Sequence, residues 1–168
     1  AHAWPMNRAR LRLGRHSRIG QSYILTTVTQ KRRRYFDDAT VAQEVMDVFR
    51  RIDAEGLTHS LAYVVMPDHI HWLVKIRAFS LDYIMQRFKS SSALRINRML
   101  GKTGPFWQSS YHDHAIRSEE SLFRHAMYIV ANPVRANLAS CVGEYPYAWC
   151  RWEIDVSYQA MDYPEAER

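Results

Sequence analysis

Two histidines one residue apart, His69 and His71, are the first residues whose types and spacing suggest chemistry. They lie in the run Met66-Pro67-Asp68-His69-Ile70-His71-Trp72-Leu73-Val74, which predicts a turn at 66–68 and a strand over 69–76. Alternate side chains of a strand share a face, so both imidazoles fall on one side, with Cα atoms ~6–7 Å apart. At that spacing both reach a single divalent ion, while Ile70 and Trp72 turn the other way into packing. A lone His-x-His pair is a weak signal and is read more readily as two surface histidines on a sheet edge. A second constellation narrows the choice. Leu122, Phe123, Ala126, Met127, Ile129 and Val130 recur as the core face of a helix, and Arg124, His125, Tyr128 and Asn132 form a polar stripe opposite them. Tyr128 and Asn132, four residues apart, are neighbours on that stripe. A tyrosine hydroxyl beside a divalent ion is a suitable nucleophile toward a phosphodiester.

These groups need elements to hold them. Tyr23 to Thr29 is rich in β-branched residues and predicts a first strand, and Leu61 to Met66 predicts a second. Val41, Val45, Val48, Phe49 and Ile52 mark one face of a helix closed by Gly56. Leu81, Ile84, Met85, Phe88, Ser92, Ile96 and Met99 trace the inner face of a second, closed by Gly101. An aromatic loop, Phe106-Trp107-Gln108, leads to a fourth strand around 111–116. Ser118 then caps the tyrosine helix, with Glu119 and Glu120 in its first turn, and Asn132-Pro133 is expected to end it. A further helix and an aromatic, acidic tail should follow. The order strand, helix, strand, strand, helix, strand predicts an α+β fold: a ferredoxin-like antiparallel sheet with helices packed on it. The expected organisation is a basic arm over 1–20, a catalytic domain over 21–150 and an acidic tail over 151–168.

With 168 residues, 47% hydrophobic and 24% charged, the chain has the makeup of an ordinary globular domain. Its two cysteines, Cys141 and Cys150, have no zinc-type partners, and a reducing compartment is expected. No apolar run approaches a membrane span, and no signal-peptide core is present. The net charge of +6 is unevenly placed. Residues 1–36 hold Arg8, Arg10, Arg12, Arg15, Arg18, Lys31, Arg32, Arg33 and Arg34 and no acid. So dense a cluster of cations is the footprint of a polyanion, in excess of what solubility requires. Lys89, on the second helix, is a further cation placed to meet phosphate, and Trp107 could stack on an unpaired base, or else pack within its loop.

The segments quoted above resemble the REP-associated tyrosine transposases, a branch of the single-tyrosine HUH nucleases. His69-Ile70-His71 matches the motif of two histidines around a bulky hydrophobic residue, within Val-Val-Met-Pro-Asp-His-Ile-His-Trp. Trp107-Gln108 through Asp113-His114-Ala115-Ile116-Arg117 matches a second block, and Tyr128-Ile129-Val130-Ala131-Asn132-Pro133-Val134 a third. Tyr145-Pro146-Tyr147-Ala148-Trp149 matches a C-terminal aromatic element. The resemblance implies the HUH nuclease fold, a Mg²⁺ or Mn²⁺ held by His69, His71 and Asn132, and Tyr128 as nucleophile. It implies single-stranded DNA folded as REP hairpins as the substrate, with a 5′-phosphotyrosine intermediate. DNA-contacting positions would be Arg8, Arg10, Arg12, Lys31, Arg32, Arg33, Arg34, Lys89, Trp107 and Arg117. The phenol, which ionises near pH 10 when free, must lose its proton at the site, and the ion, His125 and His114 are candidates to assist. Asp113 is a candidate to orient a metal-ligating histidine, with a surface role as the alternative. A cytoplasmic monomer is expected, with a dimer as the alternative and no membrane association. Two other classes compete: a metal-dependent phosphodiesterase that activates water, and a non-catalytic nucleic-acid module with aromatics exposed on its central strands.

Overall fold

The structure, a computed structural model, describes residues 17–154. Its elements are β1 (Ser22–Val28), α1 (Ala39–Ala54), β2 (Thr58–Met66), β3 (His69–Ile76), α2 (Leu81–Leu100), β4 (His112–Ile116), α3 (Glu119–Arg135) and β5 (Ala148–Cys150). The five strands form one sheet in the order β4-β1-β3-β2-β5. Every neighbouring pair is antiparallel. The first four strands follow the ferredoxin-like order expected from the sequence, and β5 extends the sheet on its β2 edge.

Local chemistry sets the helix ends. Asp38 accepts from the Thr40 backbone N–H at 2.9 Å to start α1, and Ser80 accepts from Tyr83 N–H at 3.2 Å to start α2. Gly101 closes α2 at φ +61°, in the left-handed region where a Cβ is penalised. Ser118 occupies the N-cap position of α3 but makes no capping hydrogen bond through its side chain.

Helices cover both faces of the sheet. On one side α1 and α2 pack their apolar faces on Leu25, Tyr63, Ile70, Trp72 and Val74. Phe49 and Phe88 stack there at 5.0 Å with their planes 4° apart. On the other side α3 lays Met127 and Val130 against Ile24, Val64, Leu73 and Ile116. The central strands β1 and β3 are therefore sandwiched, with Tyr23 and Trp72 buried. A binding module with solvent-facing aromatics on those strands does not describe this sheet.

Three expectations change. α3 continues through Pro133 to Arg135. Proline lacks the N–H for one helical bond, but its fixed φ suits a helix and its ring is buried here. The helix stops instead at Asn137, which takes φ +58°. There Ala136 N–H donates to Asn132 O at 3.1 Å and Leu138 N–H to Pro133 O at 2.8 Å. No further helix follows α3 among the described residues, and the aromatic element becomes β5. Tyr145 donates its hydroxyl to Val65 O at 2.7 Å, Val65 N–H donates to Tyr147 O at 2.8 Å, and Trp149 stacks on Tyr63 at 5.2 Å. Met99, placed by its spacing on the inner face of α2, is instead 42% exposed in the last turn of that helix. Cys141 and Cys150 are free thiols. Among the described residues no helix is long and apolar enough to cross a membrane.

Candidate active site

β3 carries the histidine pair on the face covered by α3. His69 lies opposite Val28 and Met66, and His71 opposite Thr26 and Val64. Their ring centroids are 4.9 Å apart, with the planes at 78°. Each ring has one nitrogen committed. His69 Nδ1 is 2.7 Å from Asp68 Oδ1, and His71 Nδ1 is 2.8 Å from Thr26 Oγ1. When the Nδ1 hydrogens point at these oxygens, both Nε2 atoms keep their lone pairs. Burial, with added positive charge from His69 and Arg135, pushes the His71 imidazolium well below its usual pKa and keeps the ring neutral. The hydrogen bond from His69, then charge from His69 and Arg32, holds the Asp68 carboxyl below the usual carboxylate range against the opposing effect of burial.

α3 supplies the other wall. His125, Tyr128, Asn132 and Arg135 follow at intervals of three, four and three, one stripe of the helix. His125 and Tyr128 are each 6% exposed, so this stripe is turned inward and is not the solvated edge that amphipathic spacing predicts. Arg124 alone of the expected polar stripe is exposed. The Arg135 guanidinium carbon lies 3.7 Å from the centre of the Tyr128 ring, and Arg135 Nη2 donates to Tyr128 O at 2.8 Å. One residue thus clamps both the ring and the backbone of the tyrosine, a contact that reading for acids, bases and metal ligands does not reveal. His125 Nδ1 is 2.6 Å from Ser121 O. A carbonyl only accepts, so Nδ1 carries the hydrogen and Nε2 is the basic nitrogen. The His125 and His114 rings are 6.2 Å apart.

The basic run Lys31–Arg34 emerges from the same end of the sheet as His69. Thr29 N–H donates to Asp68 O at 2.9 Å, and Thr29 Oγ1 donates to Arg33 O at 2.7 Å. Arg32 reaches Asp68 Oδ2 at 3.3 Å, and Arg34 pairs with Asp37 at 2.8 Å.

Other expected positions fall elsewhere. Asp113 lies opposite Leu25, and so on the α1–α2 side of the sheet, away from the histidine pair. The carboxylate that meets the histidine pair is Asp68, the neighbour of His69 in sequence. His112, opposite Thr26, shares the face of His71. Trp107 is 6% exposed and donates its indole N–H to Ser92 Oγ at 2.9 Å. Its ring is therefore packed inside and not open for stacking on a base. Lys89 Nζ donates to Gln108 O at 2.7 Å and Ser110 O at 2.9 Å, which pins the aromatic loop to α2. Arg117 follows β4 at the end where Ile116 faces Ser22, ~20 Å along the sheet from His69. Arg8, Arg10 and Arg12 lie outside the described residues.

Two imidazoles whose Nε2 atoms are left for a ligand, and an amide on the facing helix, fit a divalent ion that keeps several open positions. Among the described residues no cluster of three His, Cys, Asp or Glu side chains offers an alternative.

The family model described as "Transposase IS200 like" matches residues 18–132. The chain belongs to this family. It is accordingly a transposase, an enzyme of DNA strand cleavage and transfer, and the resemblance drawn from its motifs holds. It is 26% identical over 158 residues to a protein of Haemophilus influenzae that carries the name REP-associated tyrosine transposase, covering 87% of this chain and 86% of the relative. A REP-associated tyrosine transposase of Escherichia coli is 26% identical over 120 residues, covering 64% of this chain and 67% of that one. The transposase also shares its fold with a REP-associated tyrosine transposase solved bound to a REP hairpin. That match has a TM-score of 0.72 at 20% identity and covers 92% of this chain and 96% of the other.

Proposed function

We propose that this transposase cleaves and rejoins single-stranded DNA at REP-type hairpins, through a covalent link between Tyr128 and a 5′-phosphate. The observation that carries the reading is the facing of the two walls: the histidine pair on β3, and the inward stripe of α3 that holds Tyr128 beneath Arg135. The names of the two relatives, and the hairpin bound by the structural neighbour, support the choice of substrate.

The exchange balances without added energy. The Tyr128 oxygen bonds to phosphorus as the bond from phosphorus to the 3′ oxygen breaks. The phenol loses its proton to a nearby base, and the departing oxygen takes up a proton to become a 3′-OH. Attack by another 3′-OH reverses the steps and joins the new strand. His125 Nε2, on the same stripe, is our choice of base. A Mg²⁺ or Mn²⁺ ion held by His69, His71 and Asn132 would withdraw charge from a non-bridging phosphate oxygen. Arg135 fixes the attacking ring, and the Lys31–Arg34 loop engages phosphates beside the site. The reading takes the transposase as a monomeric unit acting on cytoplasmic DNA.

The test is trapping. The protein is incubated with Mn²⁺ and a single-stranded hairpin labelled at its 3′ end, then run on a denaturing gel. The label should migrate with the protein, and the released fragment should end in a 3′-OH that a polymerase extends. Cleavage with no labelled protein would mean that water attacks, and the reading would fall.

A further inference from the structure

The turn between β2 and β3 places one carboxylate between the two charged parts of the site. Asp68 Oδ1 faces His69 Nδ1 at 2.7 Å, and Oδ2 faces Arg32 Nη1 at 3.3 Å. The backbone of Asp68 is held too. Its carbonyl accepts from Thr29 N–H at 2.9 Å and from Thr29 Oγ1 at 3.1 Å. Phe36 N–H donates to Pro67 O at 3.1 Å, which ties the far end of the basic loop to the same turn. Loop and turn are one braced unit, and Asp68 is where it meets the histidine pair. The environments of the two contacts differ. The Arg32 side chain is 59% exposed, whereas the Asp68 and His69 side chains are each 23% exposed. Arg32 can therefore leave for another anion without unpacking anything, and the Asp68–His69 contact cannot.

We infer that Asp68 is a positioning residue that couples the basic loop to the metal site. It holds the His69 ring in the tautomer that leaves the Nε2 lone pair to the ion, and Arg32 competes for its charge. A DNA phosphate that draws Arg32 away leaves the whole carboxylate to His69. An imidazole hydrogen-bonded to an uncompensated carboxylate is the stronger ligand. Strand binding at the loop thus tightens the ion, and by reciprocity the ion tightens the strand. The inference deepens the metal reading proposed above and rests on it.

The test measures Mn²⁺ binding to the full chain without DNA, by calorimetry or the electron-spin signal of free Mn²⁺. Asp68→Asn keeps an acceptor for the Nδ1 hydrogen and removes the charge. It should weaken Mn²⁺ by about tenfold, and Asp68→Ala by up to about a hundredfold. Arg32→Gln should bind Mn²⁺ more tightly than the parent, by about two- to fivefold, the worth of an exposed ion pair. The double variant Arg32→Gln with Asp68→Asn should match Asp68→Asn alone, since the arginine acts only through the carboxylate. Melting curves establish that each variant is folded, and Arg32→Gln, an exposed change, does not threaten the fold. If both Asp68 variants bind as the parent does while His71→Ala has lost the ion, the coupling is overturned and the metal site stands. If Arg32→Gln gains as much in the Asp68→Asn background as in the parent, the relay is likewise overturned. If the parent binds no Mn²⁺ that His71→Ala abolishes, the metal reading itself fails and takes the inference with it.

Discussion

Replacing Tyr128 by phenylalanine separates the chemistry from everything else the residue does. The side chain is 6% exposed, and its ring packs 3.7 Å beneath the Arg135 guanidinium. Phenylalanine keeps the ring, the stack and the backbone carbonyl that Arg135 holds. It gives up one hydroxyl, worth about 0.5–1.5 kcal/mol where it is hydrogen-bonded. In a chain of this size that lowers the melting temperature by about 1–6 °C. Hairpin affinity comes mostly from phosphate contacts and should change by no more than about threefold. Cleavage loses its attacking atom and should fall by about 10⁴-fold or more, as when other enzymes lose their nucleophile. The assay pairs the denaturing-gel adduct with hairpin affinity and a melting curve on the same preparation. A folded, DNA-binding Tyr128→Phe protein that still forms the adduct would refute the assignment. Tyr111 would then be the next candidate, although its hydroxyl is already engaged with the Asp82 carboxylate.

Three further outcomes are expected. His71 is held neutral in the folded chain, its pKa well below the ordinary value of 6.5. The unfolded chain therefore binds the extra proton first, so the stabilising effect is whole above about pH 7 and is lost on acidification below about 6.5, by at most about 1.4 kcal/mol per pH unit. Metal-free melting from pH 8 to 5 should show this fall, and His71→Asn should flatten it. Deleting residues 1–16 removes Arg8, Arg10, Arg12 and Arg15 but spares Ser17, whose Oγ accepts from Leu81 N–H at 2.9 Å. If all four arginines meet phosphate, the slope of log affinity against log salt should drop by about 3, whereas an unchanged slope would mark the arm as a solubility tail. Lys89→Met should cost about 2 kcal/mol of stability, from hydrogen bonds by a charged donor to two loop carbonyls, while leaving the salt slope of hairpin binding unaltered. A reduced slope would return Lys89 to the DNA-contacting set.

The parts of the fold that were legible are those written in local periodicity. The shared face of His69 and His71 follows from strand alternation, and the register with β1 and β2 only places it. The inner faces of α1 and α2 were readable for the same reason. β5 was not, because three residues carry no period and become a strand only by meeting the free edge of β2. Trp107 and Lys89 look like ligands for nucleic acid by residue type. Their partners, Ser92 and the carbonyls of Gln108 and Ser110, are set by how the aromatic loop folds back on α2. Asp113 sits between two histidines in sequence, and that adjacency misleads: one step along a strand crosses to the other side of the sheet. Asp68 lies in a turn, where a side chain can fold back on its neighbour. The grip of Arg135 on Tyr128 spans seven residues of helix and depends on the helix persisting past Pro133, where local rules expect it to stop.

The strand order β4-β1-β3-β2-β5 also sets which parts of the sheet a growing chain holds first. The central strands and one of their flanks come from the first half of the chain, and the outermost strands from the second. As the chain emerges from synthesis, β1, β2 and β3 can pair, and the histidines take their places, while α3 is still unmade. Tyr128, on α3, emerges only after β4, and β5, which pairs with the edge of β2, emerges after both. A half-made chain therefore carries His69, His71 and the basic loop without Tyr128. The proposed nucleophile thus enters the chain late, between the two strands that finish the edges of the sheet.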